Sequence, residues 1–413
     1  MTLTLLIGPA DLRARSVAAH TLIDAGALRD RLRSAGVDVQ LVCAFDPSIL
    51  SPDPSGLAFP VPDVVLDGPV RPSDARADGI SSAGQLSKEL ARVATRGTVH
   101  AVGWRATAVA VTARSITGVP VVGHADQLPS VPGDDRADGS VMARLGWASL
   151  AAADHVVVES AWARSVAARR GVPLPLTTVV APALATVPTG TEVTRRHSDD
   201  PALVLSVGDP ADVGALRPVA EAVLHHPGSR LLVARGTGLD ERCAAQVKER
   251  LRELPVVRRL GSRCKVAGAP AATLCRDADL VVDVSARPGR GLGVLSAMFD
   301  ARAVVASSVG GVDELVVEGV TGLLVEPRDR IHTRDAVGDL LLDPFRLEAY
   351  GLAGRERAEA VYDPELLAQQ LLTVHRTVLG GAPAVVDLTD GADRAGQAQV
   401  THLRSRVRSA VSA

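Results

Sequence analysis

Residues 283–329 read DVSARPGRGLGVLSAMFDARAVVASSVGGVDELVVEGVTGLLVEPRD. Leu280 to Val284 closes an apolar run of strand length. Gly289, Gly291 and Gly293 then mark a turn, and Leu295 to Phe299 has helical spacing. Ala303 to Ala306 is a second buried strand, Gly310 and Gly311 break the chain, Asp313 to Val317 opens a short element, and Gly319 to Val325 returns as turn plus strand. Strand, glycine turn, helix, strand is half of a nucleotide-binding α/β domain. Glycines at the carboxyl end of a strand let backbone amides approach a phosphate, and the helix N-terminus adds positive potential.

Around this stretch the sequence resembles the nucleotide-binding half of the retaining glycosyltransferases of family 4. The matching pieces are Asp279 to Ser285 (DLVVDVS), Gly291-Leu292, Ala297-Met298, Val304 to Ser307 (VVAS), Gly310-Gly311 with Glu314, Gly319, and Thr321 to Val325 (TGLLV). The resemblance implies an α/β fold of GT-B type, two Rossmann-like domains facing each other across a cleft. It also implies transfer of a hexosyl group from a UDP-, GDP- or ADP-linked sugar to a small-molecule or lipid-linked acceptor, with no cofactor and no metal.

The same match exposes departures. The family's Glu-x7-Glu pair, which holds donor-sugar hydroxyls and the ribose, falls on Pro288 and Ser296, and neither is a carboxylate. The family's Arg and Lys for the diphosphate fall on Asp209 and Val213 in the loop after the first strand of the second domain. Such cations offset the charge of a departing diphosphate, and an aspartate opposes it. The Gly-Gly loop of the first domain falls near Ala19 and His20. Two readings therefore stand: an active transferase, or an inactive GT-B pseudoenzyme that binds or regulates.

The donor-side residues expected from the resemblance and the glycine turns are Gly208, Gly236, Gly238, Gly291, Leu292, Gly293, Val294, Ser296, Gly310, Gly311 and Glu314. Arg287 and Arg290 flank the turn and are positioned to replace the missing cations. On the acceptor side, His100 matches a histidine that the family often carries at a strand end. His124 with Asp126 could act as base and partner on an acceptor hydroxyl. Trp104 is placed either to stack on a sugar ring or to fill the core.

Outward from this site, 413 residues suit two domains with ample core. The expected division is 1–184 for the acceptor-side domain, 185–201 for a linker, and 202–362 for the donor-side domain. A helix at 363–380 is expected to cross back to the first domain, with a flexible tail at 381–413. Among the expected elements, Val256 to Leu260 reads as a strand after the helix Glu241 to Leu254. A net charge of −2 gives no pull toward nucleic acid. The four cysteines form no CxxC or zinc spacing, the N-terminus lacks a basic leader, and no apolar run nears the roughly 20 residues of a membrane span. A reduced, cytoplasmic protein is expected.

Overall fold

The computed structural model describes residues 1–8, 15–44, 60–66, 83–130, 140–184, 187, 200–208, 212–235 and 248–380. They divide into two compact units, residues 1–184 with 364–380, and residues 187–363.

The first unit carries seven strands: β1 (Thr2–Ile7), β2 (Asp38–Cys43), β3 (Val64–Val65), β4 (Thr98–Val102), β5 (Val121–Ala125), β6 (His155–Val158) and β7 (Thr177–Val179). Their order is β3-β2-β1-β4-β5-β6-β7, and each neighbouring pair is parallel. The second unit carries β8 (Ala202–Ser206), β9 (Ser229–Arg235), β10 (Cys264–Pro270), β11 (Leu280–Asp283), β12 (Ala303–Ser307) and β13 (Gly322–Val325), ordered β10-β9-β8-β11-β12-β13 and again parallel. Both sheets are doubly wound in the Rossmann manner. The order reverses between β1 and β4 and between β8 and β11, and ligands of such sheets bind outside the strand carboxyl ends at that reversal.

A parallel sheet covered on both faces needs strands that are apolar along their whole length. β12 (AVVAS) and β8 (ALVLS) are buried at every position. The apolar runs that fix the strands therefore also fix the core. In the second unit Val204, Leu280, Val282 and Val305 pack with Val219 and Val223 of the helix Val213–His225.

The helix Pro364–Leu379 belongs to the first unit. Its Ala368 and Leu372 pack with Leu3, Leu5 and Ile7 of β1, and its Leu367, Leu371 and Val374 pack with Val122, Val157 and Val180. Its apolar positions recur at helical spacing, so one stripe covers β1, β5 and β6.

One expected strand is absent. Val256 to Leu260 lies in the helix Pro255–Leu260, and the strand of this region is β10. Pro255 at the first helical position presets φ where a missing N–H costs nothing, and this outweighs the β preference of the paired valines. β10 (CKVAGAP) is a weakly apolar edge strand with a register irregularity between Val266 and Pro270. The neighbourhood of the expected Gly-Gly loop is the helix Arg15–Ser34. The tail 381–413 lies outside the described residues.

Candidate functional site

In the second unit the strand reversal brings the loop after β8 against the loop after β11. A Cβ on Gly208 would stand 2.8 Å from Ser285 Oγ and 2.9 Å from Asp283 Oδ1, so only glycine lets these loops approach this closely. Asp283 Oδ1 accepts a hydrogen bond from Ser285 Oγ at 2.7 Å and from the Ser285 amide at 3.3 Å. A carboxylate thus occupies the reversal point itself. The site residues inferred from sequence omitted Asp283, although its place at the last residue of a switch-point strand was the available signal.

Gly291 starts the helix Leu292–Phe299 with φ +66, and no side chain caps that end. The first amides of a helix have no partner within it, and here no side chain at the N-cap takes their place. Glycine is required twice over at this point. The left-handed backbone disfavours other residues, and a Cβ would lie 2.5 Å from Leu315 Cδ1.

The other expected donor-side residues divide by direction. Val294 and Ser296 are buried, and Ser296 Oγ donates to the Leu292 carbonyl at 2.8 Å. The hydroxyl at one of the two positions where the resemblance led us to expect a carboxylate is therefore spent on its own helix. Gly293 abuts the Val207 side chain and serves packing of helix on strand. Gly310 has φ +68 and lies against Pro288, where an added Cβ would be 2.9 Å from Pro288 Cβ, so the two turns meet. Gly311 opens the short helix Val312–Leu315. The Glu314 carbonyl there accepts from Arg357 Nη2 at 2.8 Å and from Tyr362 Oη at 2.9 Å. Arg287 is exposed, while Leu292, Arg290 and Glu314 are half-buried. Val213 is buried in its helix, behind Asp212 as N-cap. Asp209, Gly236 and Gly238 lie outside the described residues.

In the first unit His100 is fully buried in β4, while His124 is on β5, one residue before its end. His100 Nε2 lies 3.2 Å from His124 Nδ1, and His124 Nε2 lies 3.7 Å from Glu159 Oε1. Burial holds the His100 ring well below the ordinary histidine range, with the neighbouring His124 adding to the effect. His100 is therefore enclosed in the core, where its ring meets His124, and does not face a ligand. Asp126 Oδ1 accepts from the Gln127 amide at 2.9 Å. Trp104 is half-buried against the first core, with the Arg105 guanidinium 4.6 Å above its ring. Among the described residues no group of three or more His, Cys, Asp or Glu side chains could hold a metal ion.

Residues 214–343 match the family model described as Glycosyl transferases group 1. The chain is similar to group 1 glycosyltransferases. It is 43% identical over 94 residues to the alpha-maltose-1-phosphate synthase of Mycolicibacterium smegmatis, covering 21% of this chain and 24% of that one. It is 34% identical over 173 residues to the D-inositol 3-phosphate glycosyltransferase of Segniliparus rotundus, covering 41% of this chain and 38% of that one. The chain thus spans well under half the length of these curated relatives. Among solved structures, sucrose-phosphate synthase from Thermosynechococcus elongatus superposes with a TM-score of 0.72 at 21% identity, over 92% of this chain and all of that one (100%). Anabaena HepE in complex with UDP gives 0.67 at 18% identity, over 91% and 100%. At these identities the likeness establishes the fold, which is GT-B. Among the described residues no helix is long and apolar enough to cross a membrane.

Proposed function

We propose that this chain is a family 4 type glycosyltransferase that takes its hexosyl group from a nucleotide sugar. The observation that carries this reading is the Gly291 turn. Its left-handed backbone and the uncapped start of the helix Leu292–Phe299 present amides at the carboxyl edge of the sheet, beside β11. Backbone amides and a helix dipole bind a diphosphate without any particular side chain. The group 1 match covers this turn, and Anabaena HepE, a neighbour in fold, has been solved with UDP and with UDP-glucose. Arg287 and Arg290 supply positive charge to the same loop.

A second reading is a non-catalytic binding protein on the same scaffold. Pro288 and the inward-turned Ser296 favour it, because the two carboxylates that would hold sugar and ribose have no substitute at those positions. Asp283 at the strand reversal adds negative charge where a diphosphate would come closest. One panel separates the readings: hydrolysis and binding of UDP-, GDP- and ADP-linked hexoses by purified protein. Turnover of any of them supports transfer. Binding without turnover supports the second reading, and a ligand that binds the fold raises Tm by mass action. Neither binding nor turnover with any of the three nucleotides refutes both.

A further inference from the structure

Three histidines from three separate elements form a row in the first unit. His375, on the helix Pro364–Leu379, sets Nε2 3.0 Å from His100 Nδ1 on β4. His100 Nε2 in turn lies 3.2 Å from His124 Nδ1 on β5. One end of the row is Thr98 Oγ1, 2.8 Å from His375 Nδ1, and the other is Glu159, with Oε1 3.7 Å from His124 Nε2. Thr98, His100 and His375 are at most 1% exposed. His155 of β6 is a neighbour of His375 outside the row, its Nε2 lying 2.8 Å from Thr178 Oγ1.

The direction of the hydrogen bonds follows from counting protons. A neutral imidazole has one N–H and one bare nitrogen. Burial keeps His100 and His375 in that neutral form. Each ring-to-ring contact needs one proton, so the tautomers lock together. If the row donated toward Thr98, a neutral His124 would carry its proton on Nδ1 and turn a bare Nε2 toward the Glu159 carboxylate. Lone pair would then face negative charge. If the row donates toward Glu159, each hydrogen-bonded contact has one proton and one acceptor, and at 3.7 Å the last N–H meets the carboxylate through charge alone. Thr98 Oγ–H serves His375 Nδ1, His375 Nε2–H serves His100 Nδ1, His100 Nε2–H serves His124 Nδ1, and His124 Nε2–H points to the carboxylate.

We infer that the row Thr98–His375–His100–His124 fixes His124 as its Nε2–H tautomer, so that this ring works as a hydrogen-bond donor, not as a base, at the carboxyl end of β5. His100 and His375 are positioning residues, and docking of the helix Pro364–Leu379 sets the ring state of a residue 251 positions earlier. With Nδ1 accepting from His100 and its buried Nε2–H beside Glu159, His124 offers no lone pair to a substrate, and the proton of an acceptor hydroxyl must leave by another group. This rests on the proposed function only in taking that strand end as part of the site.

The test needs no substrate, so its failure is distinct from failure of the transferase reading. Two-bond proton–nitrogen correlation of the imidazoles in uniformly 15N-labelled protein at neutral pH separates protonated from bare ring nitrogens. All three rings should show Nε2–H. In Glu159→Gln the charge that sets the direction is gone, and the nitrogen shifts of His375, two rings away, should move together with those of His100 and His124. A Nδ1–H or doubly protonated His124 in the unmodified protein overturns the inference. So does a Glu159→Gln effect confined to His124, because rings that merely pack would respond independently.

Discussion

Gly291→Ala tests the turn on which the donor side depends. Two costs add in the structure. At φ +66 an L-residue in the left-handed region loses about 1–2 kcal/mol. The new Cβ would lie 2.5 Å from Cδ1 of Leu315, which is 3% exposed and cannot swing clear, so overpacking adds roughly 1–3 kcal/mol. Lower entropy of the unfolded alanine chain returns about 0.4–1 kcal/mol. The net loss is about 2–4 kcal/mol. Gly36→Ala is the control, because Gly36 has φ +77 with nothing within 4 Å of an added Cβ, so only the backbone cost applies. Each kcal/mol lowers the midpoint of a domain of this size by about 2–4 °C. Gly291→Ala should therefore melt on the order of 5–15 °C below the unmodified protein, and Gly36→Ala only a few degrees below it. Calorimetry reads both, and UDP titration of Gly291→Ala should show loss of binding at temperatures where the variant is folded. Equal midpoints for the two variants would refute the reasoning, since the contact with Leu315 is what distinguishes them.

Stability should fall with acid. His100, His375 and His155 are held below the ordinary value near 6.5, burial being the first cause for each. Their neutral forms stabilise the fold fully above the unfolded pKa of about 6.5, and that stability is lost as pH falls toward the folded values. For His155, pushed down to about 4, the span of two and a half pH units at 1.36 kcal/mol each is about 3 kcal/mol, so urea midpoints measured from pH 7 to 4 should decline and a flat profile would count against the burial of these histidines. Asp209→Arg should tighten UDP binding roughly tenfold to a hundredfold, from a charge-assisted bond of about 1.5–3 kcal/mol, and unchanged calorimetric affinity would show that residue 209 does not meet the phosphates. The double change Arg287→Ala with Arg290→Ala should weaken UDP binding without abolishing it, because the backbone amides remain, and an unchanged calorimetric affinity would show that the two arginines do not meet the phosphates. Arg287→Ala alone should leave Tm within about a degree, because an exposed arginine contributes little to folding.

What the sequence revealed follows the physics of each element. Buried parallel strands are uninterrupted apolar runs, so Leu280–Asp283 and Ala303–Ser307 stand out, and the helix between them begins at Leu292 because Gly291 terminates the turn. The expected start at Leu295 lies one turn late, since Leu292-Gly293-Val294 has no polar residue to mark a helix face. Val256 to Leu260 reads as a strand in the sequence because a short apolar run with two valines fits strand and helix alike. Side-chain direction was hidden altogether. Nothing local tells whether Ser296 faces a ligand or its own helix. The contact of His375 with His100 spans 275 residues and exists only once the helix Pro364–Leu379 closes over the first sheet.

Proline at 288 and serine at 296 are compatible with the GT-B fold for a physical reason. The fold requires of position 296 only a group that fits a buried helix face, and serine meets that requirement by donating to Leu292. It requires of position 288 only a residue against which Gly310 can turn, and proline meets that one with its ring. Neither substitution leaves a buried polar atom at these two positions without a partner, so neither disturbs the turns that shape the crevice. Geometry and chemistry therefore separate here: glycines and apolar strands set the turns at the strand ends, while on the proposed reading recognition would fall to backbone amides and to the charge of the loops. Likeness to transferases then speaks for the fold more strongly than for turnover. Nucleotide affinity and hydrolysis must be measured as two separate quantities in the same protein.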